Sequence, residues 1–195
     1  MIEGRARVFG DDVNTDYIIS SRRKRDSLDP AVLRQYLFED VDPRFAATLQ
    51  THDLIVAGKN FGCGSAMEIA VTVLTGNGMR AVLARSFART YYRNAVNNGL
   101  VPVACDTREI REGDRVTVEL PTAAIPDLPA HCEITVHNQT TGRTIPAEKL
   151  SRLLLALVRA GGLAPFLKQH GGHGYLHGGA AAEVTAGYDQ IARLH

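Results

Sequence analysis

Short, wholly apolar runs alternate with helical patterns in the first part of the chain. Residues 54–58, 81–84 and 101–103 form such runs beside turn residues, which is typical of strands buried on both faces. The segments between them, residues 66–74 and 87–97, are predicted to be helices. Because the order is strand–helix–strand–helix–strand, the sequence predicts parallel α/β crossovers.

The flanking segments follow other patterns. Residues 114–120 and 133–137 alternate apolar and polar positions, as expected for an antiparallel pair with one face in solvent. Residues 150–160 repeat with helical spacing. Near the N-terminus the pattern predicts one strand and two short helices, at residues 5–9, at residues 31–38 and near residue 43. We therefore expect an α/β fold with a mixed, mostly parallel sheet, flanking helices and a small antiparallel strand pair.

The length of 195 residues suits one domain with a small appendage. The end of the chain is rich in Gly, Ala and His, a composition that buries little surface. The sequence therefore predicts a domain at residues 1–168 and an extension at residues 169–195, with one further helix at residues 180–194. The extension also carries three histidines, His170, His173 and His177. We predict that they form no functional metal site, because a glycine-rich segment does not hold histidine side chains in a preorganised geometry.

Charge and cysteine content exclude several classes of protein. The chain has 22 Lys and Arg against 21 Asp and Glu, so it has no global basic field for nucleic acid or an anionic membrane. It lacks an apolar run of membrane-spanning length and a signal peptide, so we expect a cytoplasmic protein. Its three cysteines fit no metal-binding spacing, and their odd number favours a reducing compartment: Cys63, Cys105 and Cys132.

The most informative stretch for chemistry is Gly62, Cys63, Gly64 and Ser65, between a predicted strand and a predicted helix. Its glycines let the backbone approach a ligand, and N–H groups at a helix N-terminus attract a carboxylate or phosphate. Ser65 has two interpretations, as a capping serine or as a neighbour of that anion site. Cys63 is either reactive or a small packing residue.

Two further segments carry candidate side chains. Asp16 lies in a polar loop, where its carboxylate is either catalytic or part of an Asx-turn or cap. Residues 22–25 are four adjacent cations in a predicted loop. That run is either a solvated surface or a lid that clamps substrate carboxylates.

Four longer stretches, residues 10–19, 56–65, 84–89 and 92–100, together resemble the small subunits of 3-isopropylmalate dehydratases, in the aconitase superfamily. Their order and spacing agree with that family, and the resemblance covers about residues 4–167. It implies the fold of the aconitase swivel domain, a three-layer arrangement of a mixed sheet with flanking helices.

The resemblance also implies a partner and a reaction. A large subunit would carry a [4Fe-4S] cluster, while this chain would bind no cofactor itself. The heterodimer would isomerise a small hydroxy-diacid by removing and re-adding water, as in leucine biosynthesis. Without its partner, the isolated chain is compatible with a homo-oligomer.

Individual residues take roles from the same resemblance. Ser65 matches the serine that acts as an alkoxide base, and Asp16 matches an active-site aspartate. The backbone of Gly62, Cys63 and Gly64 would contact the substrate.

The departures from the family bear on the substrate. The family usually reads Gly-Ser-Ser-Arg-Glu-His where residues 64–69 read Gly-Ser-Ala-Met-Glu-Ile, so Met67 stands in place of an arginine that grips a carboxylate. Loss of that charge would weaken binding unless another cation replaces it. We expect the replacement from the basic run, in particular Arg22, Arg23 and Arg25.

Three interpretations follow. The chain is an ordinary isopropylmalate isomerase subunit with drift at Met67, or a relative that acts on a different hydroxy-acid, with Met67 facing an apolar substituent. The third is a non-catalytic partner or regulatory subunit that retains the fold. Because Ser65 and Asp16 are both present, the catalytic interpretations are favoured.

Overall fold

One large sheet organises residues 1–170, which are the part of the chain that the computed structural model describes. The strands of this part are, in chain order, β1 (Ile2–Val8), β2 (Leu54–Ala57), β3 (Ala81–Ala84), β4 (Val101–Ala104), β5 (Arg115–Glu119), β6 (His131–Cys132), β7 (Thr135–Asn138), β8 (Arg143–Pro146) and β9 (Leu150–Ser151). The order in the large sheet is β4-β3-β2-β1-β5-β7-β8, and β6 pairs separately with β9.

Helices flank this sheet. Within residues 1–170 they are α1 (Thr15–Ile18), α2 (Ser21–Asp26), α3 (Pro30–Leu33), α4 (Phe45–Thr48), α5 (Ile69–Gly76), α6 (Arg89–Asn97), α7 (Arg152–Arg159) and α8 (Leu163–His170), with 3-10 turns at Arg34–Tyr36 and Ile125–Asp127. No helix in this part of the chain combines the length and the apolar character needed to cross a membrane.

The sheet is mixed, and β1 is the strand at which its direction changes. β1 runs parallel to β2, and β2, β3 and β4 are parallel neighbours. On its other side β1 pairs antiparallel with β5, followed by β7 and β8. The predicted α/β class, the parallel crossovers and the antiparallel pair are confirmed. The pair belongs to the same sheet, because β5 bonds directly to β1.

Several predicted boundaries are wrong by a few residues, and in two helices a bond to a distant segment accounts for the shift. The helix predicted from residue 87 begins only at Arg89, because the backbone N–H of Ala88 donates to the carbonyl of Phe61. The helix predicted from residue 150 begins at Arg152, because Ser151 pairs with β6 and caps the helix with its hydroxyl. Sequence periodicity does not register such long-range bonds.

Burial confirms which runs form the core. All four residues of β2, β3 and β4 are buried, as their uninterrupted apolar sequences predict. α8 continues past residue 168, the predicted end of the domain. The predicted helix at residues 180–194, and the metal binding considered for His173 and His177, lie outside the described residues.

Candidate active site

Three loops meet where the parallel strands β1, β2 and β3 end. The loop after β2 contacts the other two through its backbone: the N–H of Phe61 donates to Ser86 O at 3.0 Å, and the N–H of Gly62 donates to Val13 O at 2.8 Å. The carboxyl edge of parallel strands is the usual place for a ligand site in α/β proteins. The fold therefore places the candidate residues at a shared edge.

Gly62 and Gly64 allow this close approach of backbones. Both have positive φ, +79° and +96°, a region that L side chains rarely adopt. A Cβ atom on Gly62 would lie 2.1 Å from Tyr91 Cγ, and one on Gly64 would lie 2.3 Å from Asn14 Oδ1. The two glycines therefore serve the packing of the loop against its neighbours.

Ser65 follows this loop and is exposed to solvent. Its carbonyl accepts a bond of 3.0 Å from Thr15 Oγ1, which ties Ser65 to α1. The expectation that Ser65 caps the next helix is wrong, because α5 begins at Ile69 and its N-cap is Glu68. Ser65 therefore lies ahead of the turn in which a helix dipole acts on charge.

Asp16 lies in the first turn of α1 and lines the same cleft as Ser65. The capping role considered for Asp16 is taken by Asn14, whose Oδ1 accepts the backbone N–H of Asp16 at 2.9 Å. The carboxylate of Asp16 is free of that capping role. It accepts a bond of 2.9 Å from Lys24 Nζ.

The basic run is helical, so its prediction as a loop is wrong. Residues 21–26 form α2, because Arg and Lys favour a helix and cations suit its last turn. Arg22 pairs with Asp40 at 2.8 Å. Arg23 bonds to Glu39 at 2.8 and 2.9 Å, and its guanidinium lies 3.8 Å from the ring centroid of Tyr36. These two arginines are thus engaged outside the neighbourhood of Ser65.

Lys24 and Arg25 point the other way, into the cleft beside Ser65. The ammonium of Lys24 lies 2.9 Å from Asp16 Oδ1 and 2.8 Å from Met67 Sδ, and its side chain is only 10% exposed. The hydrogen bond from Lys24, with its charge, holds the pKa of Asp16 below its ordinary value, although burial opposes the shift. Asp16 is therefore ionised at neutral pH.

An open cleft of about 520 Å³ contains these groups. It is lined by Asp16, Ser21, Lys24, Arg25, Leu28, Ser65, Met67, Glu68 and Ile69. Of the residues predicted from the sequence, it brings together Ser65, Asp16, Arg25 and Met67. The side chains of Arg22 and Arg23 are not among its lining residues, nor are Gly62, Cys63 and Gly64.

Cys63 has the environment of a packing residue. Burial raises the pKa of its thiol, and the nearby carboxylate of Asp12 adds to the effect. It is therefore protonated at neutral pH, and a protonated thiol is a poor nucleophile. Among residues 1–170, no set of three or more His, Cys, Asp or Glu side chains is placed to hold a metal ion.

Lys24 is the charged residue of the cleft that the sequence did not distinguish from the rest of the basic run. Its charge was visible, but four adjacent cations give no sign of which one turns inward. A helical interpretation of residues 21–26 would have separated Lys24 from its neighbours. Leu28 and Ile69, which add apolar surface to the cleft, carried no signal.

Comparison with known proteins gives the family. A model of the aconitase C-terminal domain matches residues 36–108. The methanogen homoaconitase small subunit of Methanocaldococcus jannaschii is 41% identical over 169 residues, covering 87% of this chain and 92% of that protein. The isopropylmalate/citramalate isomerase small subunit of the same organism is 39% identical over 171 residues, covering 87% and 95%.

A solved structure agrees with the sequence relatives. The crystal structure of 3-isopropylmalate dehydratase from Methanocaldococcus jannaschii superposes with a TM-score of 0.75 at 39% identity, covering 86% of this chain and 93% of that one. Sequence and fold thus agree over most of both chains. The chain belongs to the family of 3-isopropylmalate dehydratase small subunits, which are components of hydro-lyases and act with a large subunit.

Proposed function

We propose that this chain supplies the base and part of the substrate site of a heteromeric hydro-lyase. Its reaction would isomerise a 2- or 3-hydroxy diacid by removing and re-adding water. The substrate would be 3-isopropylmalate, which becomes 2-isopropylmalate, or a related malate derivative, and the enzyme would act in the cytoplasm. The observation that carries the proposal is the meeting of Ser65 and Asp16 in one cleft of a chain from this family.

Ser65 is the proposed base. As an alkoxide, its Oγ would take the proton from a carbon next to a substrate carboxylate while the hydroxyl leaves, as water, from the neighbouring carbon. Water would then add at the first carbon, and the proton would go to the second, which completes the isomerisation. Its exposure leaves the hydroxyl accessible to a substrate. Lys24 and Arg25 bring positive charge to the same cleft, and Asp16 and Glu68 bring negative charge. A cation closer to Oγ than these carboxylates would favour the alkoxide over the neutral hydroxyl.

Asp16 is the proposed acidic partner in the cleft. Its carboxylate is 44% exposed and its backbone is fixed by the cap from Asn14. An ionised carboxylate in that position would orient the substrate hydroxyl or a water molecule by accepting a hydrogen bond.

The large subunit would complete the site. We propose that it carries a [4Fe-4S] cluster, which when bound supplies Lewis-acid chemistry at the substrate hydroxyl. The cleft of this chain is open, which fits a site closed by a second polypeptide. Arg25 and Met67 would then contact the part of the substrate that distinguishes one malate derivative from another.

Replacement of Ser65 tests the proposal directly. The chain would be co-expressed with a cluster-bearing large subunit and assayed with 3-isopropylmalate, citramalate and homocitrate. We expect Ser65→Ala to lower kcat by about 10²- to 10⁴-fold, the usual contribution of a positioned base. Thr141→Ala, which removes a hydroxyl from an exposed turn, should leave turnover unchanged.

Two outcomes would contradict the proposal. Unchanged turnover in Ser65→Ala would remove Ser65 as the base. Absence of turnover on every diacid, in a complex that forms normally, would favour the alternative of a non-catalytic partner or regulatory subunit.

A further inference from the structure

We propose that Lys24 is the residue of this chain that binds a carboxylate of the substrate, with Asp16 as the counter-ion that holds its ammonium in the cleft. This inference rests on the proposed function, in which the cleft beside Ser65 takes a hydroxy-diacid. It gives that site a specificity-determining cation.

The burial of Lys24 indicates a role beyond solubility. Lysine side chains are seldom this buried unless they are paired, because an ammonium loses hydration on burial. The side chain of Lys24 is 10% exposed, against 70% for Arg22 on the same helix. The fold thus holds one cation of the basic run inside the cleft.

The ammonium of Lys24 has hydrogen-bonding capacity to spare. It carries three donors. Within residues 1–170, the acceptors at hydrogen-bond distance are Asp16 Oδ1, at 2.9 Å, and Met67 Sδ, at 2.8 Å. A thioether is a weak acceptor, so a carboxylate oxygen that replaced it would form a stronger, charge-assisted bond.

The other cations of α2 are less suited to this role. Arg22 and Arg23 are held by Asp40 and Glu39, on the far side of the helix from the cleft. Arg25 lines the cleft but is exposed, so solvent screens its charge more strongly. Lys24 is both buried and charged, and a ligand can displace the weak acceptor that it contacts, Met67 Sδ.

The surroundings of Lys24 also indicate the class of ligand. Asp16 remains bonded to one face of the ammonium, while Met67, Leu28 and Ile69 add apolar surface to the same cleft. A carboxylate at Lys24 would place the neighbouring carbon against that apolar surface. The site therefore fits a hydroxy-diacid whose bound carboxylate lies beside an alkyl group.

Binding of malate to the complex with the large subunit, measured by calorimetry, tests the inference without requiring turnover. We expect Lys24→Met to weaken malate binding by about tenfold or more, as expected for loss of a charged hydrogen bond. Lys24→Arg should retain most of the affinity. Lys149→Met is the matched control, because Lys149 pairs with Glu133 on the surface and lies outside the cleft. Should Lys24→Met fail to fold, Lys24→Gln, which keeps a donor for Asp16, has the same expected result.

Steady-state kinetics give a second measurement. Lys24→Met should raise KM for the diacid by about tenfold or more and change kcat much less, since the bond forms to the bound ground state as well. Malate affinity and KM equal to those of the unmodified complex would overturn the role of Lys24. That result, together with a large kcat loss in Ser65→Ala, would leave the proposed function standing. Weakened malate binding in Lys24→Met with full activity in Ser65→Ala would instead remove Ser65 as the base and retain Lys24.

Discussion

At the scale of single residues, Tyr91 packs against the loop that leads to Ser65. Its ring packs edge-on against Phe61, with centroids 5.1 Å apart, and it occupies the space beside Gly62. Within residues 1–170 its buried hydroxyl has no hydrogen-bond partner. An unpaired buried hydroxyl costs free energy of folding. The ring of Tyr91 therefore stabilises the loop, and its hydroxyl opposes that contribution.

We expect Tyr91→Phe to raise the free energy of unfolding by about 1 kcal/mol, because the ring stays while the unpaired hydroxyl is removed. Tyr17→Phe, at a side chain that is half exposed, should change it by less than about 0.5 kcal/mol. Urea denaturation of both variants measures the difference. A loss of stability in Tyr91→Phe would show that the hydroxyl is bonded in the folded protein.

Single residues also show how far the sequence predicts the site. Ser65 and Asp16 follow β2 and β1, which are parallel neighbours and end at one edge of the sheet. The sequence pattern indicated a buried parallel strand for β2 but not for β1, so it did not by itself predict that the two residues meet. Lys24 faces the cleft because residues 21–26 form a helix, and because Asp40 and Glu39, which are distant in sequence, hold Arg22 and Arg23 elsewhere. A run of like charges carries no information about which member faces a ligand.

At the scale of elements, the loop of residues 60–65 packs against α1 and its N-cap. The Thr15 hydroxyl and the Asn14 side chain both contact this loop, at Ser65 and Gly64. The cap from Asn14 also fixes the backbone of Asp16. The two proposed catalytic residues are therefore positioned through one set of contacts.

We expect Gly64→Ala to lower both stability and activity, because its Cβ would meet Asn14 Oδ1 at 2.3 Å and φ is +96°. The expected loss of unfolding free energy is about 2–4 kcal/mol, since a steric clash adds to the backbone strain. Thermal unfolding and turnover of the complex are the measurements.

The matched control for Gly64→Ala is Gly142→Ala. Gly142 also has positive φ, +71°, but a Cβ there would meet nothing within 4 Å. Backbone strain alone should cost about 1–2 kcal/mol and leave turnover unchanged. Equal effects of the two substitutions would show that contact with Asn14 is unimportant.

At the scale of the whole molecule, Asp53, the residue just before β2, bonds to two arginines of β1. It is 2% exposed. Its carboxylate accepts bonds of 3.0 and 2.7 Å from Arg5, of 3.3 Å from Arg7 and of 3.1 Å from the backbone N–H of Gln50. Burial alone would raise the pKa of Asp53, but these bonds and the charge of Arg5 hold it below its ordinary value.

The lowered pKa of Asp53 predicts acid sensitivity. Its folded-state pKa lies below the unfolded value of about 3.9, so its contribution to stability is present above that pH and is lost as the pH falls through the folded-state pKa. At pH 7, we expect Asp53→Asn to lower the unfolding free energy by about 3 kcal/mol, because it leaves Arg5 without its charged partner, whereas Arg7 keeps its pair with Glu112.

Urea denaturation between pH 3 and pH 7 measures this effect. The difference between Asp53→Asn and the unmodified chain should shrink toward low pH. Glu3→Gln, also in β1, breaks only an exposed pair with Arg115 of β5, and should change the unfolding free energy by less than about 1 kcal/mol. A constant difference across the pH range would contradict the role of the Asp53 charge.

The position of β1 in the sheet has a consequence for the order in which the protein is assembled. β1 is made first, but Ala6 pairs with Leu54 and Ile2 pairs with Val118. During synthesis the central strand therefore waits for both of its neighbours, and its open edges are free to pair with other chains until β5 has been made. Such long-range pairing slows folding. We expect the step that joins β1 to β5 to limit the rate at which a newly made subunit becomes competent to meet its partner.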